Sequence, residues 1–320
     1  MSINSIHLNN FTVFKDVKIE FSPGINVFIG ENGTGKTQLM KLIYASSYFH
    51  ARKSFVTIVD LFGRHFSVRN CDLLINGVKH SWGTSVINGL KQPSDATVEL
   101  SISKEKPSIF IPAKEVLSFS KLTKVAEDYK TSLNLDHTMT EIIRLAENII
   151  PDNLPAFVID AARKLENIIG GKVYYDDKEQ TFWIHKTGGE KIPFRSEAEG
   201  FDKLGLLWQL LMNRSIIESS VLLWDEPEAN ISRKHTADVV DTLLELSRHG
   251  VQIFLATHDY NLMKYFSINK NANDKVAFIS LFKSENNVAS ETAEDYNLLE
   301  HNAIVDASIK LLEDKYDGGL

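Results

Sequence analysis

Only one cysteine, Cys71, occurs in 320 residues, so the chain can form no internal disulfide and no cysteine-based zinc cluster, and it reads as the product of a reducing compartment. A lone cysteine is more simply a small buried hydrophobe than a nucleophile. No apolar run approaches the ~18 residues of a membrane span, and Met1-Ser2-Ile3-Asn4-Ser5 has neither the basic stretch nor the apolar core of a signal peptide. A cytoplasmic protein without membrane contact is expected. Basic residues are outnumbered, 35 against 42 acidic, and the formal charge of −7 means that any nucleic-acid contact must come from a local patch. Arg52-Lys53, Arg163-Lys164 and Arg233-Lys234 are the available clusters, and each reads first as a solvated face. Internal repeats, sustained heptads and low-complexity tracts are also missing. What remains is an ordinary globular composition, 43% apolar and 24% charged, long enough for one large core or two medium ones.

Short β-rich runs open the chain at Ile6 to Leu8, Val17 to Phe21 and Ile25 to Ile29, with turn residues at Asn9-Asn10 and Pro23-Gly24. A mostly buried helix is predicted over Gln38 to Phe49. Leu73 to Ile75 and Val78 to Trp82 flank Asn76-Gly77, a strong hairpin signal, and Val98 to Ile102 alternates apolar and polar residues. These runs predict an antiparallel β lobe beside the rest of the fold. Helical spacing at Ile142, Leu145 and Ile149, then at Val158, Ala161, Leu165 and Ile168, with Pro151 and Pro155 between, predicts a helical hairpin over 138–169. Another β-hairpin is expected across Asp176-Asp177-Lys178. Helices and apolar strands then alternate from about Gly200 to Leu312, which implies parallel strands with helical crossovers.

Gly30-Glu31-Asn32-Gly33-Thr34-Gly35-Lys36-Thr37 fits G-x-x-x-x-G-K-[ST] between an apolar strand and a helix, as a phosphate-binding loop requires. Glycines let successive N–H groups face the phosphates at the positive end of the helix. Lys36 is placed to reach the β- and γ-phosphates, and the Thr37 hydroxyl to ligate Mg²⁺; Gln38 is counted with the nucleotide contacts. The apolar run Val221 to Trp224 delivers Asp225 and Glu226 at its carboxyl end, the edge at which open α/β sheets bind ligands. Asp225 then holds Mg²⁺ through water and Glu226 polarises the attacking water, although adjacent acids at that point can also be a helix cap or a loop. Thr257-His258-Asp259 ends the next apolar strand and puts His258 at the same edge.

Together these residues resemble the ABC-type ATPase superfamily in its soluble branch: the chromosome-maintenance (SMC) and RecF-type heads and the ATPase part of the overcoming-lysogenization-defect (OLD) family. The resemblance runs over Ile6 to Phe21 with Asn10-Phe11, Gly30 to Thr37, Asp225-Glu226-Pro227-Glu228-Ala229-Asn230, and Thr257-His258. It implies an α/β P-loop fold, an ABC-ATPase head formed by residues 1–320 as one domain, with a helical insertion at 115–170. It also implies Glu226 as catalytic base, His258 as switch histidine, ATP and Mg²⁺ as cofactors, and Asn230 in a loop that contacts the opposite protomer. The signature motif departs from Leu-Ser-Gly-Gly-Gln: Arg195 to Lys203 offers Gly200 at a helix start, with Ser196 or Ala198 in the serine's place. A glutamine loop is missing, and Ile111-Pro112-Ala113-Lys114-Glu115 stands near its position, with Lys114 or Glu115 a candidate neighbour of Mg²⁺ or water and a helix start the alternative.

Residues 259–320 are too few for the nuclease domain that follows the ATPase in OLD nucleases, so no separate nuclease domain is expected. Family resemblance therefore implies a Mg-ATP-dependent switch that dimerises with ATP between protomers and controls a separately encoded nuclease or toxin in bacterial anti-phage defence. Two alternatives stand beside it: a repair or recombination ATPase that binds DNA directly, and an ATP-binding scaffold with negligible turnover.

Overall fold

The computed structural model describes residues 3–52, 61–62, 70–83, 86–87, 90–91, 96–102, 107–117, 120, 137–196, 199–285 and 287–317. In chain order its elements are β1 (Ile3–Phe11), β2 (Phe14–Glu20), β3 (Ile25–Ile29), α1 (Lys36–Arg52), β4 (Asn70–Ile75), β5 (Val78–Gly83), β6 (Val86–Ile87), β7 (Leu90–Lys91), β8 (Ala96–Ile102) and β9 (Ser108–Ile111). Next come α2 (His137–Ala146), α3 (Ala156–Ile169), β10 (Gly171–Asp176), β11 (Thr181–Lys186), β12 (Lys191–Pro193), α4 (Glu199–Met212) and β13 (Val221–Asp225). The chain ends with α5 (Thr236–Arg248), β14 (Gln252–Ala256), α6 (Tyr260–Asn269), β15 (Val276–Ser284), β16 (Asn287–Ala293) and α7 (Ala303–Asp317).

The central sheet has the order β16-β15-β3-β14-β13-β9, and all its pairings are parallel except β15 with β16. Every residue of β3, β13 and β14 is buried, as parallel strands covered on both faces must be. Alternation along each strand feeds two cores. Val27, Leu222, Trp224, Ile253 and Leu255 point to the side that α2 to α6 cover, while Phe28, Val221, Leu223, Phe254 and Ala256 point to α1 and a second sheet.

That second sheet has the order β2-β1-β8-β4-β5. The expectation of a wholly antiparallel lobe is corrected at one seam, because β4 and β8 pair in parallel. Asn76 explains it. The Asn76-Gly77 turn (φ 51° and 79°) closes the β4–β5 hairpin, and the Asn76 amide also accepts from Ile102 N and donates to Ile102 O, both at 2.7 Å, fixing β8 along the other edge of β4. Gln252, fully buried on β14, bolts the two sheets together: its Oε1 accepts from Ile3 N (2.7 Å) and its Nε2 donates to Ile3 O (2.9 Å) and Ser22 O (2.8 Å). Cys71 is buried in this lobe, where burial pushes its thiol up to about 12, as suits an inert core residue.

The helices predicted over 138–169 form, but each lies on α4 rather than chiefly on the other: α2 packs against β9 and α4, and α3 against α4 and α5. Pro155 and Gly170 (φ 72°) bound α3. Residues 121–136 of the expected insertion, and Lys53, lie outside the described residues. Asp176 Oδ1 accepts from Lys178 N and Glu179 N, making the turn between β10 and β11. The helix α6, the strand β16 and the short strands β6, β7 and β12 have no counterpart among the runs expected from sequence. No helix among the described residues is long and apolar enough to cross a membrane.

Candidate functional site

β3, β13 and β14 run parallel, so the segments that leave their carboxyl ends meet along one edge. The loop after β3 turns on glycines in conformations that favour glycine: Gly30, Gly33 and Gly35 have φ of 152°, 82° and 89°. A Cβ on Gly30 would lie 2.3 Å from Leu281 O, and one on Gly35 2.6 Å from Phe14 Cζ. Thr34 Oγ1 closes the loop by donating to Glu31 O at 2.9 Å. Lys36 Nζ folds inward and donates to Gly30 O (2.7 Å) and Glu31 O (3.1 Å). Burial lowers its pKa to about 8, against the opposing pull of Asp225, Glu226 and Glu228. Glu31, Asn32 and Gly33 are exposed along the outer rim, with Glu31 Oε2 3.5 Å from Lys283 Nζ. Gln38 accepts from Thr12 Oγ1 at 2.6 Å, tying α1 to the β1–β2 turn.

Thr37 Oγ1 donates to Asp225 Oδ2 at 2.8 Å, joining two motifs 188 residues apart. Burial raises the Asp225 pKa, and that hydroxyl pulls it back down. Glu226 follows with φ 47°, a left-handed conformation rare for a residue with a Cβ, and its N–H donates to Ala256 O at 2.9 Å. Ala229 N donates to Glu226 O, so residues 226–229 form a tight turn. His258 lies at the end of β14 within electrostatic reach of Lys36 and Glu226. Its packing and then the Lys36 charge lower its pKa, which favours the neutral imidazole.

Two residues that sequence reasoning does not single out also belong to this edge. Glu228 Oε1 accepts from Thr257 Oγ1 and His258 N, both at 2.8 Å, and so ties the turn after β13 to the one after β14. Burial raises its pKa, and its Oε2 is buried without a hydrogen-bond partner. Lys203, 2% exposed in the first turns of α4, donates from Nζ to Glu226 O at 2.5 Å. Lys203 stands beside Asp202 just before the apolar run Leu204, Leu206, Leu207, and an acid–base pair there gives no local sign of burial.

Lys36, Thr37, Asp225, Glu226 and His258 therefore come together. Gly200 is the second residue of α4, one turn before Lys203, while Ser196 and Asn230 (φ 65°) are exposed. Among the described residues no hydrogen bond links Ser196 or Asn230 to the glycine loop. Ala198 lies outside the described residues. Ile111 pairs with Trp224, so the segment after β9 leaves by the same edge. There Lys114 is exposed and Glu115 half-buried.

No group of three or more His, Cys, Asp or Glu among the described residues is placed to hold a metal unaided. A hydroxyl bonded to a buried carboxylate nevertheless fits a hard divalent cation that takes its other ligands from phosphate oxygens and water.

A family model described as "AAA ATPase domain" matches residues 1–61, and another, "AAA domain, putative AbiEii toxin, Type IV TA system", matches residues 100–264, just over half of the chain. The RecF DNA replication and repair protein of Chlamydia abortus is 34% identical over 87 residues, 27% of this chain and 24% of the relative. RecF of Clostridium botulinum is 47% identical over 47 residues, 15% of this chain and 13% of the relative. The chain thus matches a quarter or less of the length of these curated relatives. In fold it is similar to an SMC head solved with the C-winged helix domain of ScpA bound, with TM-score 0.53 and 13% identity over 92% of this chain and 98% of the other.

Proposed function

The chain belongs to the AAA-domain family whose model matches residues 100–264, and from that premise we propose that it binds Mg-ATP at the edge described above and hydrolyses it with Glu226 as general base. The observation that carries this reading is the 2.8 Å hydrogen bond from Thr37 to Asp225, with Lys36 and Glu226 in the same charged cluster. Lys36 and the loop N–H groups hold the phosphates, while Thr37 and Asp225 hold Mg²⁺. When bound, the cation neutralises charge on the phosphate oxygens. Glu226 orients and deprotonates water, and a neutral His258 offers a hydrogen bond toward the γ-phosphate. Gly200, Ser196 and Asn230 lie outside that cluster in one chain and complete the site from a second protomer. This ATP-dependent dimer switches a separately encoded effector, a nuclease or toxin of anti-phage defence.

Glu226→Gln tests the core of this reading. It keeps the shape and removes the base, so single-turnover hydrolysis should fall ~10²–10⁴-fold while ATP binding persists and dimers accumulate in light scattering. An unchanged rate removes Glu226 from the role, and a chain that stays monomeric at saturating ATP removes the shared site. The RecF matches favour one second reading, direct DNA binding, for which ATP-dependent retention of duplex DNA at about 150 mM salt is the discriminating measurement.

A further inference from the structure

Resting on the reading of Glu226 as the hydrolytic base, we propose that Lys203 is a positioning residue that sets the Glu226 carboxylate through its main chain. Glu226 sits in the left-handed region at φ 47°, which a side chain with a Cβ adopts only when its surroundings enforce it. Three bonds enforce it here. Its N–H donates to Ala256 O at 2.9 Å, and its carbonyl accepts from Ala229 N at 3.1 Å and from Lys203 Nζ at 2.5 Å. The first two come from the turn itself and the neighbouring strand. Among the described residues, the third is the one that comes from a helix, and it is charge-assisted and partly shielded from water, where such a bond is strengthened.

The placement of that ammonium is specific. Lys203 is 2% exposed, and a buried ammonium is tolerated only with compensation. Burial lowers the Lys203 pKa, and Glu228, Glu226, Asp225 and Asp202 offset part of that shift. The preceding residue fixes where the helix sits: Asp202, also 2% exposed, accepts from Val116 N (3.0 Å) and Leu117 N (3.2 Å) in the segment after β9. Adjacent side chains of one helical turn thus grip the loops leaving two neighbouring strands. Lys203 reaches the Glu226 carbonyl rather than its carboxylate, so its influence on the reaction passes through the orientation of Glu226. The helix that carries it begins at Glu199, and the candidate partner-facing Gly200 lies one turn before Lys203, so any shift of α4 is felt by the Glu226 peptide.

The test is a double-mutant cycle on the full chain, reading ATP affinity, single-turnover rate and melting for wild type, Lys203→Met, Lys203→Arg, Glu226→Gln and Lys203→Met/Glu226→Gln. Lys203→Met should lower the rate ~10²-fold, as expected when a reacting group is displaced by about 1 Å, with affinity within about threefold of wild type. Lys203→Arg, which keeps a cationic donor, should recover part of the loss. In the Glu226→Gln background Lys203→Met should cost nothing further, because its effect acts through the missing carboxylate. A wild-type rate in Lys203→Met, a parallel loss of affinity and rate, or an equal further loss in the Glu226→Gln background would each overturn the inference while leaving Glu226 in its role. Should Lys203→Met not fold, Lys203→Arg carries the cycle: a lowered rate at unchanged affinity that vanishes beside Glu226→Gln supports the inference, and an unaltered rate overturns it. A wild-type chain without turnover, or Glu226→Gln at the wild-type rate, overturns the reading of the site and this inference with it.

Discussion

Gly33→Ala and Gly35→Ala form a pair that separates backbone strain from close packing in the glycine loop. Both glycines are left-handed, at φ 82° and 89°, so a Cβ at either position costs ~1–2 kcal/mol in conformation alone. Their surroundings differ. A Cβ on Gly33 meets nothing within 4 Å, whereas on Gly35 it falls 2.6 Å from Phe14 Cζ, 2.9 Å from Phe14 Cε2 and 2.9 Å from Val13 Cγ2. Carbon atoms pack at ~3.5–4.0 Å, and Phe14 is fully buried in the lobe core, so the ring cannot simply swing aside. Such overpacking adds ~1–3 kcal/mol. Gly33→Ala should therefore destabilise the nucleotide-free chain by ~1–2 kcal/mol and Gly35→Ala by ~2–5 kcal/mol. Urea unfolding of the two variants side by side, with m-values compared, measures the gap. Phe14→Leu should also couple favourably with Gly35→Ala by vacating the ring's edge. Equal losses for the two glycine variants, or purely additive behaviour with Phe14→Leu, would refute the claim that the β1–β2 hairpin is packed rigidly onto the loop.

Gln252→Leu should cost ~2–4 kcal/mol, since it removes three bonds, two of them fully buried, and takes the amide partner from both Ile3 backbone groups, while Ser22 O keeps its bond from Asn26 Nδ2. A loss below ~1 kcal/mol in urea unfolding would show that the lobe is held to the central sheet by other means. Lys36 also predicts a pH dependence. Burial depresses its pKa to about 8 in the free chain, and bound phosphates raise it again, so binding takes up a proton between those two values and ATP affinity falls as pH rises above about 8. Calorimetry about one unit above that pKa, in two buffers of different ionisation enthalpy, reads the uptake directly, and identical heats would contradict it.

The parts legible in the sequence were those fixed by local chemistry. The glycine loop needs its residue types at their spacing, and apolar runs ending in Asp225 or Thr257 announced parallel strands reaching one edge. Pairing across long separations was not legible. The parallel seam of β4 with β8 depends on Asn76 reaching Ile102, and no local periodicity encodes that. β16 was missed because its residues are mostly half-buried, as befits the antiparallel edge of an otherwise enclosed sheet, and Asn287 to Ala293 is correspondingly polar. The two helices of 137–169 were recognisable by spacing, yet their partner α4 was not, because a periodic stripe states which face is buried and not against what. Asp202-Lys203 was hidden for a related reason. An acid–base pair in a helix reads as solvated surface, and only the tertiary fold shows both side chains turned inward onto neighbouring loops.

That inward turn bears on how the site is prepared before any nucleotide arrives. Besides its glycines, the edge carries non-glycine residues at positive φ in two turns that flank the loop: Asn10 and Thr12 in the β1–β2 turn, and Glu226 and Asn230 after β13. Thr12 is β-branched, which makes its φ of 54° the costlier departure, and its hydroxyl is held by Gln38 at the start of α1. Glu226 is held by Ala256, Ala229 and Lys203. Thr12 and Glu226 thus each answer to a bond from a different element, so the conformation is imposed by the fold rather than chosen by the turn. A main chain constrained in this way needs little reorganisation, and under the proposed role of Glu226 such fixed placement is what lets a charged group favour a transition state more than a ground state. The strain at Glu226 and the burial of Lys203 are then two sides of one arrangement. Burial works against the ammonium and the surrounding carboxylates offset part of that cost, while the ammonium in turn holds the carbonyl of the left-handed peptide.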